Sequence, residues 1–132
     1  MVSNETVIQV RVGEISMGTD GIIRGIVTWP INEETLADAV EIIAAIKKLS
    51  QDKPRPFYSD VRKVQSVTKA ARDYFARAEN QEFIRANAIL VHSPLNRMLA
   101  NFYLRVNKPT LPTQMFTQES DAINWLRTYL ER

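Results

Sequence analysis

The chain has 132 residues, no cysteine and a formal charge of +2. That length suits one domain whose core needs neither a metal nor a disulfide, and the lack of thiols excludes a disulfide framework, zinc–thiolate sites and a cysteine nucleophile. The small net charge argues against nucleic-acid binding, although residues 1–52 carry 4 basic and 8 acidic side chains while residues 53–85 carry 8 and 4.

In chain order, "TVIQVRV" (6–12) alternates, with Ile8, Val10 and Val12 on one side and Gln9 and Arg11 on the other, which predicts a strand. "GEISMGTDG" (13–21) holds three glycines and a Thr-Asp-Gly turn signal and reads as a loop. "IIRGIVTW" (22–29) predicts a second strand joined to the first like a hairpin, with Gly25 marking a bulge or a close backbone approach. Pro30 ends it. Asn32 as N-cap, with Glu33 and Glu34 at the positive end of the dipole, opens a helix. Leu36, Ala39, Val40, Ile43 and Ile46 recur there at helical spacing, and Lys47 and Lys48 suit its last turn.

"QDKPRP" breaks the chain, and "FYSDV" (57–61) reads as a buried strand. A helix capped by Ser66 follows from Val67, with Val67, Ala70, Ala71, Tyr74, Phe75 and Ala78 as its apolar stripe. "ENQEFIRAN" (79–87) is a polar connection with one helical turn near Phe83, and "AILVH" (88–92) is a strand buried on both faces. Ser93 as N-cap and Pro94 at the first position open the clearest helix. Its Leu95, Met98, Leu99, Phe102, Tyr103 and Val106 form an apolar stripe, in which Phe102 and Tyr103 read as core and a partner or self-association face is the alternative, with Asn107 as left-handed terminator and Pro109 as stop. "PTQMFT" (112–117) is a last strand. Thr117 then caps a helix that buries Ala122, Trp125, Leu126, Tyr129 and Leu130.

Strands alternating with helices predict an α/β fold with right-handed crossovers. The expectation is a single domain over 1–132, with a mostly parallel central sheet of about five strands, one antiparallel edge strand and about four helices. No segment reaches the ~20 apolar residues of a membrane span. The N-terminal "MVSNETVIQV" lacks the basic-then-apolar pattern of a secretory signal, so a cytoplasmic protein is expected.

Two stretches, "DVRKVQSVTKAARDYF" (60–75) and "SPLNRMLANFYLRVNKPTLPTQMFTQESDAINWL" (93–126), resemble the STAS domain, the fold of the sporulation anti-sigma-factor antagonist (SpoIIAA-like). The nearer likeness is to a group of uncharacterised bacterial STAS-like proteins, and it covers most of the chain. The resemblance implies a SpoIIAA-like fold more than a function. In phospho-regulated STAS domains it also implies a phosphorylatable serine where a helix starts after a strand. Here Asp60 is followed by "VRKVQ" before Ser66, without the glycine of that pattern.

Ser59, Asp60, Arg62, Lys63, Ser66, Thr68 and Lys69 therefore form a candidate phosphate or anion site, because helix-start N–H groups beside cations suit an anion. Capping of the helix is the simpler account of Ser66. Asn101, Arg105 and Lys108 are a candidate face for a protein partner or a homodimer. No EF-hand, metal-binding His pair, glycine-rich phosphate loop or dinucleotide fingerprint is present, so no metal or cofactor is expected. The expected function is a non-enzymatic binding or regulatory domain acting by protein contact or on a small anionic ligand. One alternative is a small-molecule or lipid carrier or sensor with an apolar pocket. A remote one is a small hydrolase, against which His92 and Ser93 stand adjacent and no nucleophile elbow exists.

Overall fold

The computed structural model describes residues 7–130. Thr6, the first residue of the strand read from the sequence, lies outside them, as do residues 131–132. The elements are β1 (Val7–Val10), β2 (Gly13–Met17), β3 (Ile23–Val27), α1 (Leu36–Ser50), β4 (Arg55–Asp60), α2 (Lys69–Ala76), β5 (Ile84–Leu90), α3 (Pro94–Phe102), β6 (Thr113–Phe116) and α4 (Glu119–Arg127). A 3₁₀ turn (Ala78–Gln81) leads into β5, and a π turn (Tyr103–Asn107) prolongs α3.

The six strands stand in the sheet in chain order, with β1–β2 and β2–β3 antiparallel and β3 to β6 parallel. The α/β class and its mostly parallel sheet match the expectation, with six strands where about five were expected. Gly13–Met17, read as loop, is a strand paired on both sides. Gly13 marks a close approach instead of a turn: a Cβ there would lie 2.0 Å from the Ile26 carbonyl oxygen. The chain turns at Arg11–Val12, and the α1 start holds that turn. Arg11 donates to both carboxylate oxygens of Asp38 at 2.6 and 2.7 Å and to the Glu33 carbonyl.

Each parallel crossover steps one strand in the same direction. Right-handed connections then place every crossover helix on one face. Ile15, Ile23, Phe57 and Ile89 point to that face, where Ile42, Ile43 and Ile46 of α1 and Ala100 of α3 pack. α4 follows β6 without a crossover and covers the other face. There Ile22, Tyr58, Ala88 and Leu90 meet Ala122, Ile123 and Leu126. Each fully buried aliphatic or aromatic side chain contributes about 1.5–3 kcal/mol.

Three helix starts differ from the sequence reading. α1 is capped by Thr35, which accepts from the Asp38 N–H while Asp38 accepts from the Thr35 N–H, a reciprocal capping box. Asn32, Glu33 and Glu34 precede that cap, and two isolated parallel bridges, Ile31 with Val64 and Glu34 with Val67, tie the segment down. α2 is capped by Thr68, not Ser66. α4 starts after Gln118, not Thr117, without a side-chain cap. Ser93 and Pro94 occupy their expected places at α3. Lys108, and not Asn107, takes the left-handed conformation at its end, with φ of 48°.

Candidate functional site

The basic stretch after β4 is occupied by its own neighbours. Arg62 donates from Nε and Nη2 to the two oxygens of buried Asp60, at 3.0 and 2.8 Å. Lys63 Nζ donates to the Thr28 carbonyl at 3.2 Å, and Lys69 Nζ pairs with Asp73 at 2.6 Å. Ser66 Oγ donates to the Asn32 carbonyl at 2.7 Å, and Thr68 Oγ1 accepts from the Ala71 N–H at 3.1 Å. Each of the three cations thus has a different acceptor, and each hydroxyl a structural one. Ser59 is set apart from them by strand alternation, with Asp60 facing the side opposite it.

The carboxyl edge of the sheet offers no crevice of the kind that binds ligands in doubly wound folds. That crevice forms where strand order reverses, and here it never does. His92 is exposed, and Ser93 Oγ accepts from the Asn96 N–H at 3.1 Å as the α3 cap. Among the described residues no group of three or more His, Asp or Glu side chains could hold a metal ion.

α3 departs most from expectation. Leu95, Met98, Phe102 and Val106 of the apolar stripe, Phe102 among them read as core, are 46%, 60%, 46% and 56% exposed. The helix instead turns Asn96 and Ala100 fully inward, with Leu99 and Tyr103 half-buried. Asn96 decides the orientation. Its amide donates to the carbonyls of Val61 and Val64 at 3.1 and 3.0 Å, and its Oδ1 accepts from the His92 N–H at 3.2 Å. Replacing it would take a partner from two carbonyls of the loop after β4 and from the His92 N–H that follows β5. Rotating the helix to bury the stripe would do the same.

The outward face is an apolar ridge flanked by cations. Between Pro94 and Lys108 the chain carries Arg97, Arg105 and Lys108, all exposed, and no Asp or Glu. Asn101, Arg105 and Lys108, the predicted partner face, all lie on the solvent side. At the ridge, the Arg72 guanidinium sits 4.7 Å from the Phe102 ring centroid, a geometry that favours cation–π attraction. Arg72 Nε also donates to Asn107 Oδ1 at 3.3 Å, and Asn107 Nδ2 donates to Asp73 at 2.8 Å. These contacts tie α2 to the end of α3.

Beneath these helices lies a cavity of about 150 Å³. Its walls include Ile42 and Ile46 of α1, Phe75 of α2, Leu99 and Tyr103 of α3, and Phe57 and Ile89 of the sheet. Ser59, Asn87 and Thr113 interrupt that apolar lining on the sheet side. Among the described residues Asn87 Oδ1 is shielded from solvent and has no hydrogen-bond partner; an acceptor left so costs about 1–3 kcal/mol. Glu34 lines the cavity as well and is 5% exposed. Burial pushes its carboxyl up to about 7, the Asp38 charge adds to the rise and Arg11 opposes it. Burial likewise pushes the Tyr103 hydroxyl up to about 12, against a hydrogen bond with Gln81. Asn87 and Asn96 were not singled out in the sequence, and Glu34 was read only as a charge at a helix start. The available signal was a polar residue inside an apolar period, as at Asn96 within the α3 stripe.

The model of the family described as Domain of unknown function (DUF7793) matches residues 17–130. No curated protein matches the chain. Among solved structures, an uncharacterised protein of the DUF3478 family with a SpoIIAA-like fold, from Shewanella loihica PV-4, superposes with a TM-score of 0.56 at 11% identity, covering 91% of this chain and 90% of that one. A protein with unknown function from Arthrobacter sp. FB24 is 32% identical over 90% of this chain and 95% of its own, with a TM-score of 0.34. The Shewanella likeness shows the SpoIIAA-like fold expected from the sequence.

Proposed function

The chain belongs to the DUF7793 family, and from that premise we propose that it is a non-enzymatic binding protein that works by contact between the α3 ridge and an acidic, amphipathic partner. The observation that carries this is the ridge itself. Four large apolar side chains lie on one helix, each about half exposed, within a segment that carries three cations and no anion. Contiguous apolar surface of this kind marks interaction sites, and Met and Phe are among the side chains enriched in them. The cationic flank selects the partner: a second copy would bring like charges together, whereas an acidic helix would meet opposite ones. On this proposal residues 1–132 act as one domain in the cytoplasm.

The test uses two synthetic helical peptides with leucines at identical spacing, one flanked by glutamates and one by lysines. By fluorescence anisotropy the acidic peptide is expected to bind. Its affinity should fall about tenfold or more in Met98→Asp or Phe102→Asp, and weaken as salt screens the flank. Equal binding of the lysine peptide, binding of neither, or a concentration-dependent dimer through Met98 in light scattering would refute the proposal.

A further inference from the structure

The cavity under α1, α2 and α3 has a floor that packing alone does not explain. Register places its three polar residues together. Phe57 pairs with Asn87, which pairs with Thr113, while Ser59 pairs with Ile89, so Ser59 and Asn87 are diagonal neighbours across β4 and β5. Diagonal neighbours on one sheet face stand roughly 7–8 Å apart between their Cα atoms, within joint reach of a bound group. Thr113 Oγ1 donates to the Leu111 carbonyl. Among the described residues Asn87 Oδ1 is shielded from solvent without a hydrogen-bond partner, and the half-buried Ser59 hydroxyl and Asn87 Nδ2 make no hydrogen bond within the fold. A fully apolar floor would serve the fold better, since buried polar groups stabilise only when paired.

We propose that this cavity is a binding site for a small, neutral, planar ligand with an aromatic ring and a carboxamide or lactam edge. The ring lies against Phe57, Phe75, Ile89 and Leu99. Its edge pairs with Asn87, N–H to Oδ1 and C=O to Nδ2, and the Ser59 hydroxyl makes a third contact. Size and charge both enter this choice. A cavity of about 150 Å³ is on the scale that accepts a single benzene-sized ring. An ionised ligand would be desolvated beside Glu34, which lines the same space. The one cation of the lining, Arg72, is already held by Asn107 and the Val67 carbonyl.

Benzamide, benzoate and cumene have similar size and differ at the edge alone, so their titration against the full chain by NMR isolates the floor. Benzamide is expected to shift the resonances of Ile89 and Leu99, and benzoate to bind at least about tenfold more weakly. Asn87→Leu is expected to lower benzamide affinity about tenfold or more while leaving cumene unchanged or tighter. Ser59→Ala removes one oxygen and should lower benzamide affinity about threefold. If Asn87→Leu fails to fold, unchanged benzamide affinity in Ser59→Ala overturns the assignment. Equal losses for benzamide and cumene in either variant, or no shift with any of the three probes, also overturn it. The peptide experiment on the ridge is independent of every one of these outcomes.

Discussion

Replacing Glu34 by Gln should remove a pH dependence from the stability of this protein. Glu34 is 5% exposed, its carboxyl has no hydrogen-bond partner among the described residues, and burial raises its pKa from 4.5 to about 7. Between those values the unfolded chain releases the proton and the folded chain keeps it. The folded state therefore binds more protons, and stability falls as pH rises through this window. At 1.36 kcal/mol per unit the loss is about 3 kcal/mol, complete just above pH 7 and absent below pH 4.5. Asp38 acts in the opposite sense and elsewhere. The Arg11 guanidinium holds its carboxyl below the usual value, so its contribution is lost on acidification instead. The assay is urea unfolding from pH 4.5 to 8.5 for both proteins. With a slope of roughly 1–3 kcal/mol per molar urea, the midpoint of Glu34→Gln should exceed the parent by about 1–3 M at pH 8 and match it near pH 4.5. Parallel pH profiles would show that the Glu34 carboxyl is solvated in solution and that the wall between α1 and the 64–68 segment is open to water.

Two further expectations concern the backbone. Thr68→Ala should cost about 1 kcal/mol through loss of the α2 cap, and Ser66→Ala clearly less, because the exposed Ser66 hydroxyl contacts only the Asn32 carbonyl; the reverse order in thermal denaturation would return the helix start to Val67. Gly13→Ala should destabilise by about 3 kcal/mol or more, because its Cβ meets backbone at 2.0 Å. Gly25→Ala meets the tip of the Phe57 ring at 2.8 Å, which can move, and should cost about 1–2 kcal/mol; equal midpoint shifts in chemical denaturation would contradict this.

Elements set by local chemistry were legible in the sequence. Ser93 and Pro94 specify a helix start whatever surrounds them, and the alternation of strands and helices specifies the class. What failed depended on partners distant in sequence. A glycine in a loop and a glycine under a neighbouring carbonyl look alike until β2 and β3 are paired, so Gly13 was misread. Helical period shows that Leu95, Met98, Phe102 and Val106 share a side, yet not that this side faces water. The inward face is fixed by Asn96 reaching carbonyls more than thirty residues back. Ser66 and Thr68 are both competent caps, and only the bridge of Glu34 to Val67 holds the chain extended long enough to choose the second. The cavity was hidden for the same reason: its lining draws on all six strands of the sheet and on three helices.

The order of the strands also bears on how the chain acquires this structure. Every sheet pairing joins a strand to the one made just before it, so no pairing has to span more than one connection, although the three parallel ones each close over a helical crossover. A chain leaving the ribosome can add each new strand to an edge already formed, with its crossover helix arriving on the way. Only the last segment breaks that sequence. Ile22, Tyr58, Ala88 and Leu90 await Ala122, Ile123 and Leu126, so through most of synthesis one side of the nascent sheet stands uncovered. The interval before α4 docks is when this protein is most exposed to aggregation and has most need of a chaperone.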